Sequence, residues 1–225
     1  MSTRLTPQEA WDDMLQGNDR FVTGAPQHPR QNVERRNQVS GSQNPDAALF
    51  GCSDSRLAAE IIFDRGLGDL FVVRNAGHIV SDSSVASLEY AVVDLDISLI
   101  TVLAHDSCGA VAAAIDRGQQ EPSPLPEKVA QLIDPIIPAV QEVWFREHSD
   151  SPYVDPARIS AEEVGRLHLR HTVAALLRSS KVISDRVAAG ELGIVGCQYR
   201  LVEGRAEPVS YVGPLRIDLP TPGTR

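Results

Sequence analysis

From residue 47 onward, short apolar runs alternate with longer stretches of helical character. Ala47–Gly51, Asp69–Val73, Ser98–Ala104 and Leu192–Cys197 are rich in Ala, Val, Ile, Leu and Phe with few polar interruptions, as strands buried on both faces are. Ser83–Asp94 and Ala157–Ala189, between them, carry helix-like patterns. Strands that alternate with helices need crossover connections, so the pattern predicts an α/β fold with a central, mainly parallel sheet flanked by helices. Upstream the text differs. Thr6-Pro7-Gln8-Glu9 spells a capping box with Pro at the first helical position, and Trp11, Met14, Leu15, Phe21 and Val22 follow at helical spacing. Residues 23–46, rich in Gly, Pro, Gln and Asn, hold no lasting apolar period and predict an extended arm. The stretch 118–156 contains seven of the 15 prolines and predicts an irregular excursion with short helices. No internal repeat is visible. One domain over 1–225 is expected, with a helix and arm over 1–46 and an α/β core over 47–225.

Composition narrows the class of partner. A net charge of −9, with Lys and Arg scattered, argues against nucleic acid, whose binders carry clustered basic charge. No stretch approaches the ~18 uninterrupted apolar residues of a membrane span, and the opening MSTRLTPQEAWDDML lacks the pattern of a secretory signal. The expectation is a soluble, cytoplasmic protein acting on a small molecule, without a nucleic-acid or membrane partner. Cys52, Cys108 and Cys197 are too few, and odd in number, for a disulfide framework. In a reducing compartment such thiols are core residues, metal ligands or nucleophiles.

Two predicted strands end in unusual polar text. Ala47–Gly51 runs into Cys52-Ser53-Asp54-Ser55-Arg56, and Ser98–Ala104 runs into His105-Asp106-Ser107-Cys108-Gly109. Ligand sites of open parallel sheets lie beyond the carboxyl ends of the strands. Two such ends on neighbouring strands would bring Cys52, His105 and Cys108 together. Two thiolates and an imidazole suit zinc, and three protein ligands with a fourth position open mark a catalytic ion.

Cys52-x-Asp54-x-Arg56, followed 53 residues after Cys52 by His105-x-x-Cys108-Gly109, resembles the double motif of β-class carbonic anhydrases. The resemblance continues through Phe71-Val72-Val73-Arg74-Asn75-Ala76-Gly77 and Glu89-Tyr90-Ala91-Val92. It is strong over 7–115 and fainter over 168–200. It implies that family's α/β fold, an N-terminal helix and arm wrapping a partner subunit, and a homodimer or homotetramer. It also implies one Zn2+ per chain on Cys52, His105 and Cys108, and reversible hydration of carbon dioxide to bicarbonate and a proton. Zinc lowers the pKa of a bound water from ~15.7 to about 7, which makes hydroxide available at neutral pH. Asp54 would accept a hydrogen bond from that hydroxide and Arg56 would pair with Asp54. With the pair broken, Asp54 would become a fourth zinc ligand in a closed state favoured at lower pH. Gln43, Phe71, Tyr90, Asn75, Ala76 and Gly109 match pocket positions of the family.

Two positions depart from it. Ala104 stands where Gly is usual, and Leu49 stands where members with an inhibitory bicarbonate site carry Trp, although Arg74, the other expected partner of that anion, is present. Two alternatives stay open: hydrolysis of carbonyl sulfide or carbon disulfide at the same site, and a non-catalytic zinc or bicarbonate sensor. Gly66-Leu67-Gly68 is followed by strand text and is no dinucleotide fingerprint. Cys197 is expected in the core, His168 and His171 outside any ligand set, and His78 at the surface.

Overall fold

The alternation of apolar runs and helices resolves into one five-stranded sheet. The structure, a computed structural model, describes residues 4–219. The outermost residues of the expected 1–225 domain, 1–3 and 220–225, lie outside the described residues. The strands are β1 (Ala47–Cys52), β2 (Leu70–Asn75), β3 (Leu99–His105), β4 (Gly193–Arg200) and β5 (Arg205–Val212), in spatial order β2-β1-β3-β4-β5. The first four run parallel and β5 returns antiparallel along β4. Every residue of β1, β3 and β4 is buried, which is why their text is so uniformly apolar.

Each face of the sheet carries its own apolar cluster. One gathers Ala47, Leu49, Leu103 and Val195 with α1 (Pro7–Val22), α5 (Gly109–Arg117) and α7 (Ile137–Phe145). The other gathers Ala48, Phe50, Ile100 and Ile194 with α4 (Asp82–Val93), α8 (Ala161–Ser179) and α9 (Lys181–Ala188). Successive residues of β1 thus pack on opposite sides, as strand geometry requires. The excursion over 118–156 holds the short helix α6 (Glu127–Ile133), a 3₁₀ turn at Asp134–Ile136, and α7.

Three elements differ from the sequence expectation. The helix anticipated over Ala157–Ala189 starts only after the cap Ser160 and breaks at Ser180, whose Oγ accepts from the Ile183 amide at 3.1 Å and caps α9. Strand β5 carries Pro208 and charged residues, and its burial is incomplete, so it gives no apolar run. Proline is tolerated there because the strand lies at the sheet edge. Finally, the arm contains a short helix, α2 (Val33–Gln38), capped by the Asn32 side chain on the Arg35 amide at 2.9 Å.

The N-terminal region lies on its own protomer. The capping box forms as read, Thr6 Oγ1 accepting from the Glu9 amide at 3.2 Å and Glu9 Oε2 accepting from the Thr6 amide at 2.8 Å. The apolar stripe of α1 (Ala10, Trp11, Met14) is buried against the chain's own sheet, with Thr101 Oγ1 3.5 Å from Met14 Sδ. The apolar stripe of α1 is thus covered within the chain itself.

Two buried aspartates tie down the arm. Asp64 accepts from the amides of Gln27 and His28, each at 2.9 Å, and from Arg20 Nε at 2.6 Å. Asp69 accepts from Arg30 Nε at 2.8 Å, Arg35 Nη2 at 3.3 Å and the Gly66 amide at 2.7 Å. Gly66 is glycine because the arm presses on it: a Cβ there would lie 2.2 Å from the Pro29 carbonyl oxygen. Burial pushes both carboxyls up, but their amide and arginine donors outweigh it and hold both below the usual range. A carboxyl depressed in the folded state adds stability above its unfolded pKa of about 3.9, lost as pH falls through the lower folded value. The arm is therefore expected to stay anchored at pH 5 and to loosen only below about pH 4. Hydrogen exchange of residues 23–46 across that range checks it; loss of protection already at pH 5–6 would contradict the anchoring.

Candidate metal centre

The parallel pairing of β1 with β3, Gly51 opposite Leu103, sets Cys52 and His105 at adjacent strand ends. A tight turn through Ser107, whose φ is +51°, then delivers Cys108 to the N-cap of α5. The ligand atoms of Cys52, His105 and Cys108 all lie within 4.8 Å of one another, and all three residues are buried. Zn–S and Zn–N bonds of ~2.3 and ~2.1 Å in a tetrahedron separate ligand atoms by roughly 3.5–3.8 Å. The cluster needs only a small contraction.

The protonation pattern suits a cation. His105 Nδ1 lies 2.8 Å from the Asp106 carbonyl oxygen, which can only accept, so the proton sits on Nδ1 and the Nε2 lone pair is free. That Nε2 is buried and has no hydrogen-bond partner. The Cys108 thiol donates to Cys52 and holds the Cys52 thiol well below its usual range, assisted by His105 and the Gly77 amide against burial. The same bond, with burial, pushes Cys108 up. One thiolate is thus already favoured, and a dication among these atoms would favour the second.

Asp54 and Arg56 stand at the rim. Arg56 grips the carboxylate as a fork, Nε to Oδ1 at 2.8 Å and Nη2 to Oδ2 at 2.7 Å, and its amide donates to Oδ1 at 3.0 Å. These bonds from Arg56 hold the Asp54 carboxyl well below the usual carboxylate range. Asp54 Oδ2 lies 3.9 Å from His105 Nε2. The carboxylate is thus beside the ligand set but turned towards Arg56. Arg74 braces the backbone: Nε donates to the Cys52 carbonyl at 2.8 Å and Nη2 to that of Asp54 at 2.6 Å.

The expected pocket residues fall into two groups. Asn75 sits opposite Cys52 in the β1–β2 register, and its side chain closes a turn by bonding the Ile79 amide and carbonyl, each at 2.7 Å. Ala76 opens the 3₁₀ turn Ala76–His78 after β2, and Gly109 follows Cys108 directly at the start of α5. Phe71, Tyr90 and Gln43 lie elsewhere. Phe71 pairs with Ala48, four residues before Cys52 and so about 13 Å down the strand. Its ring is 6.0 Å from that of Tyr90, which is 46 % exposed. Gln43 is exposed before the N-terminal end of β1, at the opposite end of the sheet from Cys52.

Among the remaining candidates, Cys197 is wholly buried in β4, and burial pushes its thiol up. His171 lies 3.6 Å from Glu142 and half exposed between α7 and α8. His78 is 1 % exposed, against the expectation of a surface residue: its backbone turns with φ +44° and its ring packs 4.7 Å from that of His168. No sequence signal marks this inward turn.

A buried Cys2His set at the carboxyl ends of parallel strands, with a polar rim on its remaining side, has the donor types and the location of a metal site in an α/β enzyme. Residues 47–206 match the family model described as carbonic anhydrase. The chain is 44 % identical over 207 residues to carbonic anhydrase 2 of Mycobacterium tuberculosis, covering 92 % of this chain and 95 % of that protein. It is 42 % identical to a carbonic anhydrase of Mycolicibacterium smegmatis, covering 93 % and 96 %. Among solved structures, a tetrameric β-carbonic anhydrase of Sordaria macrospora shares the fold with a TM-score of 0.66 at 22 % identity, covering 89 % of this chain and 97 % of that one. The chain belongs to the carbonic anhydrase family, in its β class.

Proposed function

We propose that this chain hydrates carbon dioxide reversibly to bicarbonate and a proton, with one zinc held by Cys52, His105 and Cys108. The observation that carries the reading is the buried, unpartnered Nε2 of His105, faced at 3.9 Å by a carboxylate that Arg56 holds aside. Bound there, zinc supplies a Lewis acid that makes water a nucleophile near neutral pH.

The chain's own groups do the rest. Asp54, kept ionised by Arg56, accepts a hydrogen bond from the attacking oxygen and turns its lone pair towards the carbon. So acidic a carboxyl is a poor store for the product proton, which passes to solvent buffer. Arg74 fixes the loop that carries Asp54, so the acceptor's position does not drift.

Carbon dioxide is apolar and needs an apolar wall. Phe71, Tyr90 and Gln43, remote from the chain's own ligand cluster, line the site of a second copy in this reading, which makes the working unit a homodimer or a homotetramer. The open edge of β2 and the exposed Tyr90 support that assembly. Cytoplasmic residence is supported by three free thiols, two of them within bonding reach of one metal. Among the described residues no helix is long and apolar enough to cross a membrane.

The test is metal content together with hydration rate. Chelator-treated protein is expected to lose carbon dioxide hydration and to regain it on adding one equivalent of zinc. Carbonyl sulfide and carbon disulfide, assayed alongside, should turn over far more slowly. Faster turnover of either gas would reassign the substrate, and a loaded protein inert towards all three would favour the sensor reading.

A further inference from the structure

The turn after β2 is built with more care than three metal ligands require. Gly77 has a φ of +76°, and a Cβ there would lie 2.9 Å from that of Ala110. Its amide donates to Cys52 Sγ at 3.4 Å. Its carbonyl accepts from His168 Nε2 at 3.0 Å, a bond that spans 91 residues. His168 belongs to α8 and is 3 % exposed. A carbonyl oxygen only accepts, so His168 must carry its proton on Nε2. His78, beside Gly77, packs its ring 4.7 Å from that of His168, tilted by 41°. Burial lowers the pKa of both rings, which favours their neutral forms, and the Nε2–H of His168 goes to the Gly77 carbonyl.

We infer that His168 is a positioning residue of the metal centre, holding the Gly77 backbone so that its amide stays on the Cys52 sulfur. The inference rests on Cys52 being a zinc ligand. An N–H directed at a metal thiolate draws charge from the sulfur, leaves the ion more electrophilic and fixes the ligand's direction. Glycine at 77 gives the left-handed turn and the close approach to α5, but its freedom must be checked by something. Asn75 closes the turn from one side through Ile79, and His168 clamps it from the other. The clamp comes from a helix on the far side of the sequence, so neither motif in the chain announces it.

His168→Phe removes the donor and keeps the ring volume, whereas His168→Gln offers a side-chain N–H at similar reach. With Phe, zinc affinity measured by chelator competition is expected to fall about 10–100-fold. The thiolate-to-metal charge-transfer band of the cobalt-substituted protein should move to longer wavelength, and the midpoint of the pH–rate profile should rise. Gln should restore most of each. A folded Phe variant with wild-type affinity and band, or a Gln variant indistinguishable from Phe, overturns the inference. Should the Phe variant fail to fold, nitrogen-15 NMR of imidazole-labelled wild-type protein decides. The Nε2–H tautomer at His168 is expected, and an Nδ1–H tautomer overturns the inference outright. Elemental analysis of the same sample separates the two claims. Zinc present with the wrong tautomer defeats only the clamp, and zinc absent defeats the metal site and the clamp with it.

Discussion

Serine in place of Cys52 or Cys108 is expected to strip the chain of zinc and to reduce carbon dioxide hydration to background. The hydroxyl is similar in size to the thiol, so the buried site keeps its shape and the fold is not the first casualty. The loss is chemical: serine does not ionise near neutral pH, and zinc prefers thiolate. The water that reacts then reverts from a pKa of about 7 towards ~15.7, and nearly nine units at 1.36 kcal/mol each amount to roughly 12 kcal/mol of lost activation. Elemental analysis and stopped-flow hydration of both variants check the result. Wild-type zinc in either would remove that cysteine from the ligand set.

Arg56→Ala is expected to keep the zinc and lose activity on the order of 10²-fold, the usual effect of displacing a positioned group by about 1 Å. Arg56 grips the centre through the fork on Asp54 and a further bond to the Ser107 carbonyl at 3.3 Å. Without the fork, Asp54 is an acidic group 3.9 Å from His105 Nε2 that keeps, of its bonds from residue 56, the backbone amide alone. It can then take the fourth position on the metal itself and exclude the reacting water. Arg56→Lys should recover only part of the activity, because a point charge does not reproduce the planar two-bond grip. Asp54→Asn separates orientation from closure, since the amide neither closes on zinc nor accepts as well. Full activity in Arg56→Ala at neutral pH would show that Asp54 stays in place unaided.

The meeting of Cys52, His105 and Cys108 was legible because the chemistry is local and the geometry simple. Cys52 and His105 each end an apolar run, and parallel strand ends converge without further information. Strands β1, β3 and β4 were legible for the same reason, each being buried along its length, and β2 through its apolar run Leu70-Phe71-Val72-Val73 although it is only half-buried. Strand β5 was not, since an edge strand with Pro208 at its centre buries too little to leave a pattern. The lie of α1 also escaped: an apolar stripe says that something covers it, and only the fold shows that Thr101 and its neighbours do. Arg74 and His168 escaped for a different reason. Each acts on backbone carbonyls, and a carbonyl has no letter in the sequence.

The two strand ends that carry Cys52 and His105 are 53 residues apart along the chain and neighbours only within the sheet. An unfolded chain has no preformed site, so the proposed zinc would bind the folded state almost alone. Metal affinity then becomes part of the fold's own stability: at free zinc 1,000 times Kd, the folded state gains about 4 kcal/mol by mass action. A chelator would lower the temperature at which this protein melts, and that temperature would report the free zinc around it.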